Sequence, residues 1–382
     1  MIIIGTVGIL IFFLSAIAGV KIHARTQFIL FLGAMLAMLV AIGVMLSTSH
    51  SAAVDMINKN LAGSGSTYDS IVSVAQENGY TLGWTLPQSL AALPYAYTFY
   101  WGFYNSNWYV GEIKGAAKSM RRAIYGSLLT AAVLAVLLAY LTFNVFGFDF
   151  YNGLNYLFFN APSKYPQVVA VPYINYLLSL ITDNPIIIAV ILIGYVMNGL
   201  WQMISGVILA TRQIFAWSFD RLIPARFSEV NERFHSPIWA VILMTILGEV
   251  AILLYAYTTI SLYLVNSTIA WLICNLIVVL VCIIFPWRRK DLFGTTVPAR
   301  WRRKIAGVPL LSWLSLIVLI PTVYMLYAAF TNAVIGGPLS YESMFVGVFG
   351  AMIFGIAVYF IASAYRKPQG IDLKMIFTQI PP

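Results

Sequence analysis

The sequence predicts an all-α membrane protein with nine transmembrane helices, on three observations. At 382 residues, 61% of them hydrophobic and only 9% charged, the chain has too few charges to cover a soluble globule of this size. Apolar runs of about 20 residues, the length that carries a helix across roughly 30 Å of hydrocarbon, recur along its whole length. These runs lack the strict alternation of polar and apolar residues that marks the shorter strands of a membrane barrel.

In chain order the predicted helices cover about 2–20, 28–46, 90–111, 123–147, 186–210, 238–257, 262–287, 310–330 and 345–365, in one polytopic domain spanning 1–382. The third is irregular, because Gly102, Asn105, Ser106 and Asn107 interrupt its apolar pattern within YWGFYNSNWYVGEIKG. Two connections are long. Ser47–Pro87 is rich in Gly, Ser and Asn and reads as a mobile surface loop. Phe148–Pro185 is aromatic and reads as short helices at the outer interface, with a lid over an external vestibule as the functional alternative. The stretch Thr211–Pro237 reads as a structured amphipathic connection punctuated by Pro224 and Pro237.

The net charge of +9 raises a nucleic-acid partner, but the placement of the basic residues answers it. Alternating nine helices sorts the connections into two sets, and all 22 Lys and Arg residues except Lys59 and Lys164 fall in one of them. By the positive-inside rule that set is cytoplasmic, which puts the amino terminus outside and the carboxyl terminus inside a cell membrane. Topology and anionic lipid headgroups account for the basic charge without nucleic acid. An outside start with no basic residues before Ile2 is a poor signal peptide. It implies either a natural outside-start helix or an odd number of helices absent upstream.

Cys274 and Cys282 lie eight residues apart on one predicted helix, about 12 Å of rise, too far for a disulfide, and read as packing residues. His23, His50 and His235 fall in or beside predicted loops. No helix carries a metal-ligand cluster or a nucleophile and base pair, which argues against a membrane enzyme and calls for no metal or cofactor. Glu249, in LGEVAILLY, is the one carboxylate deep in a predicted span. It is a proton-coupling candidate or a structural hydrogen bond. Asn198, Gln202 and Ser205 share a helix face at spacings of four and three, a stripe that lines a solute path or bonds neighbouring helices.

An irregular segment at membrane depth must be buried in protein or line a wet cavity, because freed backbone groups cost several kcal/mol each in lipid. Broken helices of this kind form solute sites; alternatively, Gly102 permits close helix packing. On sequence physics alone the two stand side by side.

The run GFYNSNWYVGEIKGAAKSMRRAI resembles the sixth helix of amino-acid permeases of the amino acid-polyamine-organocation (APC) superfamily, with Glu112 and Lys114 as its Glu-x-Lys element. TRQIFAWSFDRLIPARFSEVNERFHSP is similar to the loop after that family's eighth helix, through Arg212, Asp220, Arg221, Pro224, Arg233 and Pro237. The hairpin Ile2–Leu46 resembles helices four and five, with GVKIHARTQ between its arms. The resemblance implies helices four to twelve of the LeuT-like inverted-repeat fold, lacking the first three. It therefore implies a truncated permease, or part of one whose first helices come from a separate chain. It implies transport of an amino acid or related amine by alternating access, with Tyr100, Trp101, Gly102, Tyr104 and Asn105 facing the substrate and Asn198 and Gln202 beside the path. Glu112, Asp220 and Arg212 become gate or topology elements at the cytoplasmic ends. The competing function is a non-transporting membrane subunit that retains the helices without a complete site.

Overall fold

The computed structural model describes residues 2–98, 100, 102–103, 105, 107, 110, 115–259, 267–331 and 345–378. They divide into two compact units, residues 1–84 with 102–252, and 85–101 with 253–382. In chain order the helices are α1 (Ile2–Ile17), α2 (Val20–Ser47), α3 (His50–Leu61), α4 (Tyr68–Glu77), α5 (Leu86–Ala91), α6 (Leu93–Thr98), α7 (Ala116–Phe146) and α8 (Phe148–Asn160). They continue as α9 (Ile174–Leu177), α10 (Pro185–Phe219), α11 (Ile238–Tyr257), α12 (Ser267–Arg288), α13 (Lys290–Thr296), α14 (Ala299–Arg302), α15 (Leu310–Thr331), α16 (Ala351–Arg366) and α17 (Leu373–Thr378).

Among the described residues, seven helical stretches are long and apolar enough to cross a membrane: Val20–Ser47, Lys118–Phe146, Pro185–Phe219, Ile238–Tyr257, Ile269–Arg288, Leu310–Thr331 and Gly347–Gln369. The predicted crossing at 2–20 is a 16-residue helix, Ile2–Ile17, about 24 Å long at 1.5 Å per residue. The predicted crossing at 90–111 contains α6 and the last turn of α5, and much of the remainder lies outside the described residues.

The α1–α2 connection departs from expectation. GVKIHAR is not a loop: the turn is confined to Ala18 and Gly19, and α2 starts at Val20. Gly19 sits at φ 99°, a conformation that favours glycine, and a Cβ there would stand 3.0 Å from the Phe234 carbonyl. Lys21, His23 and Arg25 are helix residues, so the charge does not mark the end of a helix. Likewise α10 runs on to Phe219, well past the predicted 210, so the first third of the supposed connection is helix.

The first unit has a membrane part and an outer layer. In the membrane part α2 and α10 pack closely because small residues face each other. A Cβ on Gly194 would collide with Ala37, and one on Gly33 with the Met197 thioether. Gly8 meets Met203 of α10 and Gly248 of α11 meets Ile9 of α1 in the same manner. Phe12, Ile204 and Val241 are fully buried between these helices.

The outer layer overturns the mobile loop expected over Ser47–Pro87. That stretch folds into α3 and α4, capped by Ser49 and by a Thr67–Ser70 capping box. Ala53, Ile57 and Leu61 recur every four residues on one face of α3, and Ile71 and Ala75 do so on α4; all five are buried. They join Phe146, Phe150, Leu154 and Leu157 in the largest apolar cluster of the described residues. This short apolar stripe was hidden beneath a polar composition. The aromatic stretch after Phe148 does form short helices, as expected.

In the second unit α12 and α15 pack around Ile269, Leu272, Met325 and Ala329, and Ser312 Oγ donates to the Ile283 carbonyl at 3.0 Å. Cys274 is exposed and Cys282 half-exposed, both with free thiols, which corrects their reading as packing residues. A small hairpin pairs Lys304–Ile305 with Val308–Pro309. Its turn, Ala306 (φ 51°) and Gly307 (φ 80°), has positive φ at both central positions, as a tight hairpin needs.

Candidate functional site

Helix α6 begins Leu93-Pro94, where proline fits the first turn because that position needs no amide donor. The helix ends at Thr98, and Tyr100 N–H reaches back to the Tyr97 carbonyl at 3.1 Å. Gly102 follows at φ 104°, outside the range open to residues with a side chain. Asn105 N–H donates to the Gly102 carbonyl at 2.9 Å, closing a tight turn, and the Asn105 Nδ2 would lie 3.3 Å from a Cβ at Gly102. The break read from the sequence is thus a glycine-dependent turn. Of the other residues expected to face substrate here, Trp101 and Tyr104 lie outside the described residues, as does Glu112 of the gate group.

On α10 the polar stripe splits. Ser205 Oγ accepts from Gln27 Nε2 of α2 at 2.9 Å and donates to the Trp201 carbonyl at 2.8 Å, so Ser205 serves helix pairing. Gln202 is exposed and Asn198 half-buried, and neither side chain makes a hydrogen bond among the described residues. Gly199 and Gly206 flank them with open space where a Cβ would go. Among the described residues of its own unit, this face of α10 presents two amides and no neighbour at its glycines.

Glu249 has a partner. Thr6 Oγ1 of α1 donates to Glu249 Oε1 at 2.8 Å, where α1 and α11 approach through Gly5 and Gly248. The carboxyl is half-buried and its hydroxyl partner joins two helices. This is a structural hydrogen bond of the kind read from the sequence as the alternative to proton coupling.

Asp220 caps α10, its N–H donating to the Ala216 carbonyl at 2.8 Å, and Arg221 turns the chain at φ 62°. Ser218 Oγ donates to the Pro224 carbonyl at 2.7 Å. The following loop docks on the α1–α2 turn: Ser236 Oγ donates to the Ala16 carbonyl at 2.9 Å. Beneath it lies a node that the sequence assigned to a loop. His23 is 3% exposed, its Nδ1 3.0 Å from Ser15 Oγ, its ring edge-on to Phe12, and its Nε2 buried with no hydrogen-bond partner among the described residues. Arg212 is close enough to act on it electrostatically. The signal available in the sequence was spacing, since His23 falls seven residues before the buried Leu30 on the same helix face.

The outer layer is anchored to the end of α7. His50 Nδ1 lies 3.0 Å from the Val145 carbonyl, and Tyr68 OH donates to the Phe146 carbonyl at 2.7 Å while stacking on Phe150 at 4.4 Å. Burial, then the negative charges of Asp69 and Asp149, push the Tyr68 phenol up to about 12. Burial and the Asp149 carboxylate also raise Tyr80, whose hydroxyl donates to Asp149 Oδ1 at 3.0 Å. Gly83 N–H donates to the same oxygen at 3.0 Å. Among the described residues, no three His, Cys, Asp or Glu side chains gather as a metal site would require.

A family model for amino acid permeases matches residues 1–356. The chain belongs to the amino acid permease family. No curated protein matches it. Membership accords with the run of long apolar helices: this permease is a multi-pass membrane protein of a family that transports amino acids. Family membership favours a transporter over a membrane enzyme.

Proposed function

We propose that this permease moves an amino acid or related amine by alternating access, with the turn at Gly102 as one half of the substrate site. The observation that carries the proposal is the helix end at Thr98 followed by the positive-φ Gly102. A helix broken at membrane depth exposes backbone donors and acceptors that suit the carboxylate and ammonium groups of an amino acid. Tyr100, Trp101, Tyr104 and Asn105 supply the adjoining side chains, and Asn198 and Gln202 extend the polar surface. Glu249, held by Thr6, is the proton-coupling group; Arg212, Asp220 and Glu112 act at the cytoplasmic gate. The proposal needs a second broken helix opposite the first, in the same polypeptide or in a separate chain. The full arrangement is nine crossings related to helices four to twelve of the LeuT-like fold, in the plasma membrane, amino terminus outside.

The test is binding and uptake across an amino-acid panel. Purified protein should gain thermal stability with its substrate, and proteoliposomes should accumulate it. If no amino acid shifts the melting curve or is taken up, the non-transporting membrane subunit replaces the transporter.

A further inference from the structure

Helix α2 has 28 residues, about 42 Å at 1.5 Å per residue, and outruns a hydrocarbon layer of roughly 30 Å. Its first turns therefore have room to stand among lipid headgroups, and they carry Lys21 and Arg25. Four residues apart, the two cations share one helix face. Both are exposed, and neither side chain has a hydrogen bond or ion pair among the described residues. The chain up to Val54 contains no Asp or Glu to neutralise them.

Farther along the same face lie Phe28 and Ile29, 59% and 62% exposed. Together with Ala24 and the two cations they form one exposed face of α2. Phe28 stands seven residues from Lys21, about 10 Å along the axis. That face is thus cationic at one end and apolar at the other, over a distance that matches a phosphate and the start of an acyl chain.

We propose that this face of α2 binds one anionic phospholipid, its phosphate between Lys21 and Arg25 and its proximal acyl chain against Phe28 and Ile29. A soluble phosphate would use the cations and leave the apolar half unused. A zwitterionic lipid would cover the apolar half while bringing its own cation against Lys21 and Arg25. Only an anionic lipid satisfies both ends.

The experiment uses the full chain in detergent, with lipid retention followed by native mass spectrometry. The probes are phosphatidylglycerol, phosphatidylcholine of matched chains, and glycerol 3-phosphate as a soluble headgroup. Phosphatidylglycerol should be retained over phosphatidylcholine, and glycerol 3-phosphate should not displace it. With about fivefold per surface cation, K21Q/R25Q should weaken retention by roughly thirtyfold. K21R/R25K, which preserves charge, should keep it within about threefold, and R288Q/R289Q should leave it unchanged. Raising salt from 0.15 to 1 M should weaken binding as the screening length falls from about 8 to about 3 Å. Equal retention of the two lipids, displacement by glycerol 3-phosphate, or undiminished binding by a folded K21Q/R25Q protein would overturn the proposal.

Discussion

Replacing Gly102 with alanine tests the broken segment at its most constrained backbone position. Gly102 stands at φ 104°, where a residue with a Cβ is strained by about 1–3 kcal/mol. The steric term is smaller: the new methyl would meet Asn105 Nδ2 at 3.3 Å, and the end of an amide side chain can retreat a few tenths of an ångström. Alanine also restricts the unfolded chain, returning about 0.4–1 kcal/mol. The net expectation is a loss of about 0.5–2 kcal/mol, governed by φ rather than by the clash. Denaturant unfolding of the purified protein, followed by tryptophan fluorescence, measures the loss, and substrate uptake measures its functional side. G102A/N105A should recover less than about 0.5 kcal/mol, because removing the amide does not relieve φ. If G102A matches the parent protein in stability and uptake, the turn is not held as argued. Recovery of the full loss by the double variant would show that the clash dominates.

Other perturbations separate the remaining contacts. Gly194→Val drives a side chain into Ala37 at the α2–α10 crossing and should cost about 1–3 kcal/mol in the same unfolding assay, where a neutral result would refute the close approach. Thr6→Val removes the donor to Glu249 Oε1; the expected loss is about 1–2 kcal/mol, absent when Glu249 is already Leu, as a double-mutant cycle would show. Tyr68→Phe keeps the stack on Phe150 but loses the bond to the Phe146 carbonyl, for an expected loss of about 1 kcal/mol. The Tyr68 phenol, raised from 10.0 to about 12, stabilises the fold fully below pH 10 and loses that contribution as pH rises toward 12. Absorbance at the phenolate band should show one fewer late-titrating tyrosine in Tyr68→Phe than in the parent, with Tyr80 still titrating late. Lys59→Gln, which breaks the exposed 3.0 Å ion pair with Asp183, should change stability by less than about 1 kcal/mol at physiological salt.

The long apolar helices were legible because hydrocarbon demands length and composition, and both are written in the sequence. Ile238–Tyr257 coincides with its predicted bounds, and Leu310–Thr331 differs by one residue. Elsewhere the ends were misjudged for one reason: apolarity reports where the membrane stops, while hydrogen bonding decides where the helix stops. Residues 21–27 and 211–219 both lie outside the predicted apolar spans yet inside a helix. The outer layer was illegible for the opposite reason, since five buried residues spread over α3 and α4 do not raise the mean hydropathy of a polar stretch. At the candidate site, Gly102 and Glu249 were readable as exceptions within apolar runs. His23 was not, because a histidine next to Lys21 and Arg25 looks like loop until the helix turns its ring inward.

The polar side chains in the long helices sort by how they are satisfied, and the sorting bears on function. Thr211, Thr245, Ser315 and Thr322 return their hydroxyls to the carbonyl four residues earlier, so they ask nothing of a neighbour. Thr6 with Glu249, Gln27 with Ser205, and Ser15 with His23 meet across helices, which makes them packing elements whatever else they do. Asn198 and Gln202 do neither among the described residues, and the open glycines beside them remove the usual explanation of a helix packed close. An amide left without a partner in hydrocarbon costs about 2–7 kcal/mol, too much for the face to be lined by acyl chains. Of the polar stripe read from the sequence, Ser205 bonds a neighbouring helix, and Asn198 and Gln202 make no side-chain hydrogen bond among the described residues.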